Sequence, residues 1–259
     1  NTIRMYDTRL ARAEHANLPL WKTVEDIVPH YQRDFGIDGV MIDMGHALPL
    51  KLLEQMVHKA RQLDPDFAFW EENFNPTEES REHGYNAAIG YLWSDENDPV
   101  KMRKILQRYS TEKFPVPYFG ASESHNSPRA ASLNGGTLYS RFSWAVNNML
   151  PVIPFIHNGF ELGEKNPVNT GLNFTPEQIA RLPSENLPLF SEGMLKWKTP
   201  DIICDWIAKV SAIRVKYLDL LSDPAPETVV PWHLGDEKTF VFERKNSSMR
   251  LLVTANGDF

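Results

Sequence analysis

Helical and strand-like patterns alternate along most of the chain. Apolar residues recur at helical spacing over residues 22–36, 48–64, 98–111 and 132–150. Short apolar runs start among these helices, at residues 40, 67, 87, 116 and 152. The run GVMID has no polar alternation, which is typical of a parallel strand buried on both faces. The repeated strand-then-helix units therefore predict a parallel sheet with crossover helices.

The pattern changes in the C-terminal part of the chain. Gly, Pro and Asn punctuate residues 161–189, which predicts a long loop with short helical pieces. A long amphipathic helix is predicted over residues 201–221. After a Pro-rich joint, residues 239–257 alternate between apolar and polar positions, which predicts a hairpin that turns at 246–248. A small antiparallel element therefore begins near residue 227.

Composition narrows the class of protein. The 259 residues are 42% apolar and 24% charged, which is ordinary for a globular enzyme. The net charge of −7 is spread along the chain, which argues against a nucleic-acid partner and against an anionic membrane surface. No apolar run approaches the roughly 20 residues of a membrane helix. The single Cys204 excludes an internal disulfide, and its apolar neighbours predict a small core residue.

Polar residues gather where the predicted strands end. They are Asp43 after the first strand, Glu71 and Glu72 at the end of the second, and Glu123, His125 and Asn126 after the fourth. Each has an ordinary structural interpretation, such as a helix cap, a solvated pair or a turn. In a βα barrel, however, catalytic residues lie at the C-terminal ends of strands. The coincidence at three strand ends therefore predicts a site.

Two carboxylates at one barrel mouth suit glycoside chemistry. A retaining mechanism needs one ionised carboxylate and one protonated carboxyl, roughly 5 Å apart. Asp43 and Glu72 follow adjacent strands, and Trp70 with Phe74 would give Glu72 an apolar flank that favours its protonated form. A metal-dependent hydrolase is disfavoured, because the His residues lack a His-x-His or His-Glu-x-x-His spacing.

Four segments resemble motifs of the α-amylase family of glycoside hydrolases (family 13). GIDGVMID resembles that family's fourth-strand motif, FWEENF its fifth-strand motif and ESHNSPR its seventh-strand motif. FELGE at 160–164 is similar to the segment after strand eight, and the spacing of Asp43, His46 and Pro49 is most similar to the maltosyltransferase branch. The resemblance implies the C-terminal part, strands four to eight, of an α/β (β/α)8 TIM barrel over residues 1–226. Residues 227–259 would begin a C-terminal β-sandwich domain.

The resemblance also implies roles for individual residues. Asp43 would be the nucleophile and Glu72 the acid/base, with Glu71 as the alternative acid, while Asn126 occupies the position of the family's third carboxylate. The residues that it implies for substrate binding are His46, Asn73, His125 and Arg129. No residue is predicted to bind a metal. No cofactor is expected to be required; the family allows a structural Ca²⁺, for which this segment offers no support.

Two positions depart from the family pattern. Met41 stands where the family has an Arg two residues before the nucleophile, and Asn126 stands where it has an Asp. An amide cannot supply negative charge beside an oxocarbenium-like centre, so a large loss of rate is expected. The departures fit an altered site, a lost activity or an introduced substitution.

The leading hypothesis is a retaining enzyme that hydrolyses or transfers units of α-1,4-linked maltodextrins through a glycosyl-enzyme intermediate. The alternative is an impaired relative that binds α-glucan or has a structural role. The expected partner is an α-glucan or maltodextrin, with neither nucleic acid nor membrane. Because only strands four to eight have counterparts here, the N-terminal barrel half is expected in the full-length protein.

Overall fold

The computed structural model describes residues 7–10, 12–90, 98–182, 185, 187–189, 192–233, 235 and 238–258. The chain forms two compact units. The first comprises Asn1–Ile89 and Pro115–Tyr118, and the second comprises Gly90–Phe114 and Phe119–Phe259. Among the described residues, no helix combines the length and the hydropathy that a membrane span requires.

The first unit is built on a parallel sheet, as predicted. Its elements are α1 (Leu18–Phe35), β1 (Gly39–Ile42), α2 (Leu50–Leu63), β2 (Ala68–Glu72), α3 (Glu78–Glu82) and β3 (Ala87–Ile89). The strand order is β1-β2-β3, and Met41 lies opposite Trp70 across the first pair. The apolar run AAIGYL predicts a third strand over residues 87–92, but β3 ends at Ile89, because Gly90 leaves the extended conformation with φ of 118°. Residues 91 and 92 lie outside the described residues.

The core of this unit lies between the sheet and the two long helices. Helix α1 begins where the Asn17 side chain accepts a hydrogen bond from the Leu20 N–H, and it ends at Gly36 with φ of 62°. The buried cluster consists of Val28, Leu53, Val57, Ala60, Phe67, Phe69 and Tyr85, with Ile37, Val40 and Ile42 packed against it. One face of β1 and β2 therefore packs against helices α1 and α2.

The second unit contains a parallel strand pair and an antiparallel sheet. Its elements are α4 (Pro99–Tyr109), β4 (Phe119–Ala121), α5 (Thr137–Met149), β5 (Ile153–Phe155), α6 (Pro176–Ala180), α7 (Cys204–Lys216), α8 (Leu218–Leu221), β6 (Val229–Trp232), β7 (Thr239–Lys245) and β8 (Arg250–Asn256). Strands β4 and β5 pair in parallel, whereas β6-β7-β8 form the antiparallel sheet. The domain boundary between residues 226 and 227 stays a prediction.

Three expectations for residues 201–221 are wrong. The single predicted helix is two helices, because Tyr217 has φ of −116° and ψ of 30°, outside helical values. Helix α7 also begins later than predicted, since the N–H of buried Ile203 donates to the carbonyl of Glu161. Cys204, predicted as a core residue, is exposed at the first position of α7.

The C-terminal hairpin forms where the alternation predicted it. Lys245 and Arg250 are the last pair before the turn, and Asn246 organises the turn by accepting hydrogen bonds from the N–H groups of Ser248 and Met249. The additional strand β6 pairs with β7 and contains Pro231. Proline is tolerated there because β6 is an edge strand.

Arg244 of β7 is a fully buried anchor of the second unit. Its guanidinium donates to five backbone carbonyl oxygens, those of Met149, Leu220, Leu221, Asp223 and Thr228. Burial, with a smaller contribution from nearby Arg214, lowers the pKa of Arg244 to about 10. The side chain thus connects β7 to the C-terminal ends of α5 and α8 through hydrogen bonds.

Replacing Arg244 with methionine is expected to lower the free energy of unfolding by about 3 kcal/mol or more. The buried carbonyl oxygens would lose their donors, and each orphaned group costs about 1–3 kcal/mol. Chemical denaturation of the full-length protein measures the effect. The matched control is Lys245→Met, one residue further along β7, with an expected change of about 0.5 kcal/mol. Equal effects of the two substitutions would contradict the anchoring role.

Candidate active site

The ends of β1 and β2 carry the predicted catalytic carboxylates. Ile42 pairs with Glu71, so Asp43 and Glu72 occupy the next positions of the two neighbouring strands. One carboxylate oxygen of Asp43 lies within 4.8 Å of one carboxylate oxygen of Glu72. Asp43 is exposed, whereas Glu72 is only 8% exposed. The first unit thus brings together an accessible carboxylate and a buried one.

Glu71 and Glu72 lie on opposite faces of β2. Phe69 belongs to the helix-facing core, and alternation along the strand puts Glu71 on that same face. Glu71 lines a cavity of about 300 Å³ together with Leu53 and Tyr85, and its Oε1 atom makes no hydrogen bond within the described part of the chain. Burial, and then the charge of Glu71, raises the pKa of Tyr85. Glu71 therefore belongs to the helix side, while Glu72 lies beside Asp43.

A tight turn after β1 holds His46. Met44 adopts a left-handed conformation with φ of 49°, and Gly45–Ala47 form one turn of 3-10 helix. Gly45 is packed so closely against the Tyr85 hydroxyl that a Cβ atom at this position would collide with it. The close contact fixes the turn, so that His46 is exposed three residues beyond Asp43 and borders the cavity of Glu71.

Asn73 and Met41 complete the description of the first unit. The Asn73 N–H donates to the carbonyl of Ile89, and its Oδ1 atom accepts a hydrogen bond from the Asn75 N–H. Asn73 is therefore held in the turn after β2 and borders the same cavity as His46. Met41, at the position of the family's arginine, is 38% exposed, and Phe74, predicted to flank Glu72, is 46% exposed.

In the second unit, the segment after β4 is organised by a buried ion pair. Glu123 is 1% exposed; its Oε1 atom accepts from Nη1 of Arg129 at 2.6 Å, and its Oε2 atom accepts from the Ala130 N–H at 2.7 Å. The same Nη1 atom donates to the Asn158 carbonyl and lies 2.6 Å from Nδ1 of His157. Arg129, predicted to bind substrate, thus has its guanidinium engaged in internal contacts. It also lines a cavity of about 390 Å³ with His157.

His125 and Asn126 form a second cluster with a residue that the sequence did not indicate. Nδ2 of Asn126 lies 2.9 Å from Nε2 of His125, and Oδ1 of Asn126 accepts from Nδ2 of Asn169 at 2.8 Å. Asn169 lies in the irregular segment predicted as a long loop. Its neighbours Asn, Pro and Gly mark only turns, so no local signal singled it out.

No protein-family model and no curated protein matches the sequence. Solved structures do resemble it. An α-amylase from Geobacillus thermoleovorans complexed with acarbose has a TM-score of 0.70 and 14% identity, covering 99% of this chain and 59% of that one. An Anoxybacillus α-amylase has a TM-score of 0.69 and 14% identity, and the match covers 93% of this chain and 52% of that one. A cyclic α-maltosyl-(1→6)-maltose hydrolase from Arthrobacter globiformis, in complex with maltose, has a TM-score of 0.67 and 17% identity. The match covers 95% of this chain and 53% of that one.

The chain spans about half the length of these solved structures. The likeness shows a mixed α/β fold that is consistent with part of a TIM barrel of the kind found in these solved structures. At 14–17% identity, this structural similarity is evidence for the fold and not for the activity. The maltosyltransferase branch and the assignment to barrel strands four to eight stay predictions.

Proposed function

We propose that this protein is a retaining enzyme that hydrolyses or transfers units of α-1,4-linked maltodextrins. The observation that carries the proposal is the separation of at most 4.8 Å between carboxylate oxygens of Asp43 and Glu72. A short separation of two carboxyl groups suits a covalent intermediate, whereas an inverting enzyme needs roughly 6.5–9.5 Å to admit a water molecule. The α-amylase-type fold of the chain gives the pair its expected substrate class.

The two carboxyl groups divide the reaction between them. Asp43, whose side chain is exposed, attacks the anomeric carbon and forms a β-glycosyl ester. Glu72, which is 8% exposed, acts as the general acid and gives its proton to the departing glycosidic oxygen. The resulting Glu72 carboxylate then removes a proton from water or from a sugar hydroxyl, which attacks the ester and restores the α configuration.

The remaining predicted site residues would bind the sugar. His46 would serve the acceptor side, and His125 would contact hydroxyls at the cleaved unit. Asn73 and Arg129 are proposed as further contacts, although the guanidinium of Arg129 also holds Glu123. The proposed similarity to maltosyltransferases rests on the Asp43–His46–Pro49 spacing and the FELGE segment. It does not choose between water and a sugar hydroxyl as the acceptor.

Asn126 supports an alternative, an impaired relative that still binds α-glucan. Its Nδ2 atom lies 2.9 Å from Nε2 of His125, and its Oδ1 atom accepts a hydrogen bond from Nδ2 of Asn169, so it makes two contacts without a negative charge. A neutral group at this position would stabilise an oxocarbenium-like centre poorly.

Turnover of maltoheptaose by the full-length protein tests the proposal, with product chromatography and NMR of the product anomer. We expect slow release of shorter or longer maltodextrins with the α configuration, and about 10²-fold faster turnover by Asn126→Asp. Asn173→Asp makes the same change at an exposed position of the irregular segment that contains Asn169; it is the matched control and should not change the rate. Maltodextrin binding without turnover in the parent and in Asn126→Asp would favour the alternative.

A further inference from the structure

We propose that Asn169 is a positioning residue that acts through Asn126 to hold His125 as the neutral tautomer with its proton on Nδ1. The three side chains form a continuous hydrogen-bonded chain in the second unit. The significance for catalysis rests on the proposed function, since His125 is the proposed contact to the cleaved sugar. The tautomer itself is a property of the unliganded protein.

Backbone groups fix the orientation of the Asn169 amide. Oδ1 of Asn169 accepts from the Gly171 N–H at 2.6 Å, and Nδ2 donates to the carbonyl of His125 at 3.0 Å. A backbone N–H can only donate and a backbone carbonyl can only accept. Turning the amide around would therefore set donor against donor and acceptor against acceptor. Because the Asn169 residue is only 9% exposed, water could not easily relieve such a mismatch.

The orientation of Asn169 determines that of Asn126. The same Nδ2 atom that donates to the His125 carbonyl lies 2.8 Å from the Asn126 amide, which must present its oxygen there. The backbone of Asn126 is held as well, since its carbonyl accepts from the Leu172 N–H at 2.7 Å and its N–H donates to Ser124 Oγ at 3.1 Å. The amide nitrogen of Asn126 is consequently directed at the imidazole.

The orientation of Asn126 in turn determines the proton on His125. Nδ2 of Asn126 is a donor, and it lies 2.9 Å from Nε2 of His125. Only an unprotonated ring nitrogen accepts a hydrogen bond, so the proton of the neutral ring is on Nδ1. The Gly171 N–H and the His125 carbonyl therefore set the orientation of the Asn169 and Asn126 amides, and through them the position of the proton on the His125 ring.

Asn126 differs from an aspartate at this position in hydrogen bonding as well as in charge. An aspartate there would accept from Asn169 and also require a donor from His125, which puts a proton on Nε2. The two residue types therefore specify opposite hydrogen-bonding directions at His125. The Asn169 contact is compatible with both, because its Nδ2 donates to an amide oxygen or to a carboxylate equally well.

The test is ¹⁵N NMR of the histidine rings in the full-length protein without substrate, with His125→Gln used to assign the signals. We expect protonated Nδ1 and unprotonated Nε2 for His125. In Asn169→Asp the new carboxylate should accept from Nδ2 of Asn126, turn that amide around and move the proton of His125 to Nε2. Asn126→Asp should move it to Nε2 directly, while Asn173→Asp, the charge-matched control, should leave it on Nδ1.

A parent ring protonated on Nε2 would overturn the proposal, as would an unchanged tautomer in Asn169→Asp. Should Asn169→Asp fail to fold, the parent spectrum and that of Asn126→Asp decide the question. The readout does not depend on turnover, so a protein that shows the Nδ1–H tautomer but no activity would contradict the proposed function and leave the positioning role intact.

Discussion

Replacing Asp43 with asparagine is expected to lower kcat on maltoheptaose by about 10⁴-fold or more. The amide is nearly isosteric but is a poor nucleophile, so the glycosyl-enzyme ester cannot form. The Asp43 side chain lies beyond the end of β1 and is exposed, so we expect the substitution to lower activity without unfolding the protein. Steady-state kinetics of the full-length protein measure the effect. Asp38→Asn is the matched control, because it makes the same change at an exposed position just before the opposite end of β1.

Chemical rescue distinguishes a lost nucleophile from a lost contact. In Asp43→Ala, azide can enter the space of the carboxylate and attack the anomeric carbon of an α-glycosyl fluoride. A carbon–nitrogen bond forms, fluoride leaves, and the product is the β-glycosyl azide. Formation of this product would identify position 43 as the nucleophile. Full activity of Asp43→Asn, at the level of Asp38→Asn, would exclude Asp43 from the chemistry.

The position of Asp43 could be predicted from the sequence because two independent signals agree on it. The apolar run before it predicts a buried parallel strand, and a polar residue at the end of such a strand is expected at the functional edge of the sheet. The structure confirms the strand as Gly39–Ile42 and its parallel pairing with β2. The distance between two strand ends follows from the spacing of neighbouring strands, which is nearly constant in sheets.

The distinction between Glu71 and Glu72 could not be predicted from alternation. Both faces of β2 carry aromatic residues, Phe69 on one and Trp70 on the other, so the sequence does not reveal which face packs against helices. The same difficulty arises at β7, where the alternating pattern predicts one solvated face. Instead Phe240 to Arg244 are all buried, and helices α4 and α8 contact β7 in addition to its two neighbouring strands.

The role of Asn169 depends on a contact between residues 43 positions apart in irregular segments. Periodicity reports which face of a regular element is buried, but it carries no information about the path of a loop. Side-chain hydrogen bonds to loop backbone are set by that path, and in this chain they decide the protonation of a predicted site residue. Site chemistry was thus predictable at strand ends and unpredictable where loops supply the second partner.

Glu72→Gln is expected to lower kcat on maltoheptaose by about 10²–10⁴-fold, the usual contribution of general acid catalysis. Glutamine keeps the shape of the side chain but has no proton to give to the glycosidic oxygen. An α-maltosyl fluoride, whose leaving group needs little protonation, should lose much less rate in the first step. The substrate dependence of the loss is therefore the signature of the acid, and the two donors measured on the same variant provide it.

Glu71→Gln is the matched control, because it makes the same change at the adjacent position. Its side chain lines the helix-side cavity beside Tyr85, so the substitution should alter the unfolding midpoint more than kcat. The change replaces a carboxyl by an amide of the same shape at a buried position, so we expect an effect on stability rather than on the chemical step. If Glu71→Gln instead lost activity on maltoheptaose but not on the fluoride, while Glu72→Gln stayed active, the acid would be Glu71. The assignment therefore depends on which face of β2 carries the proton donor.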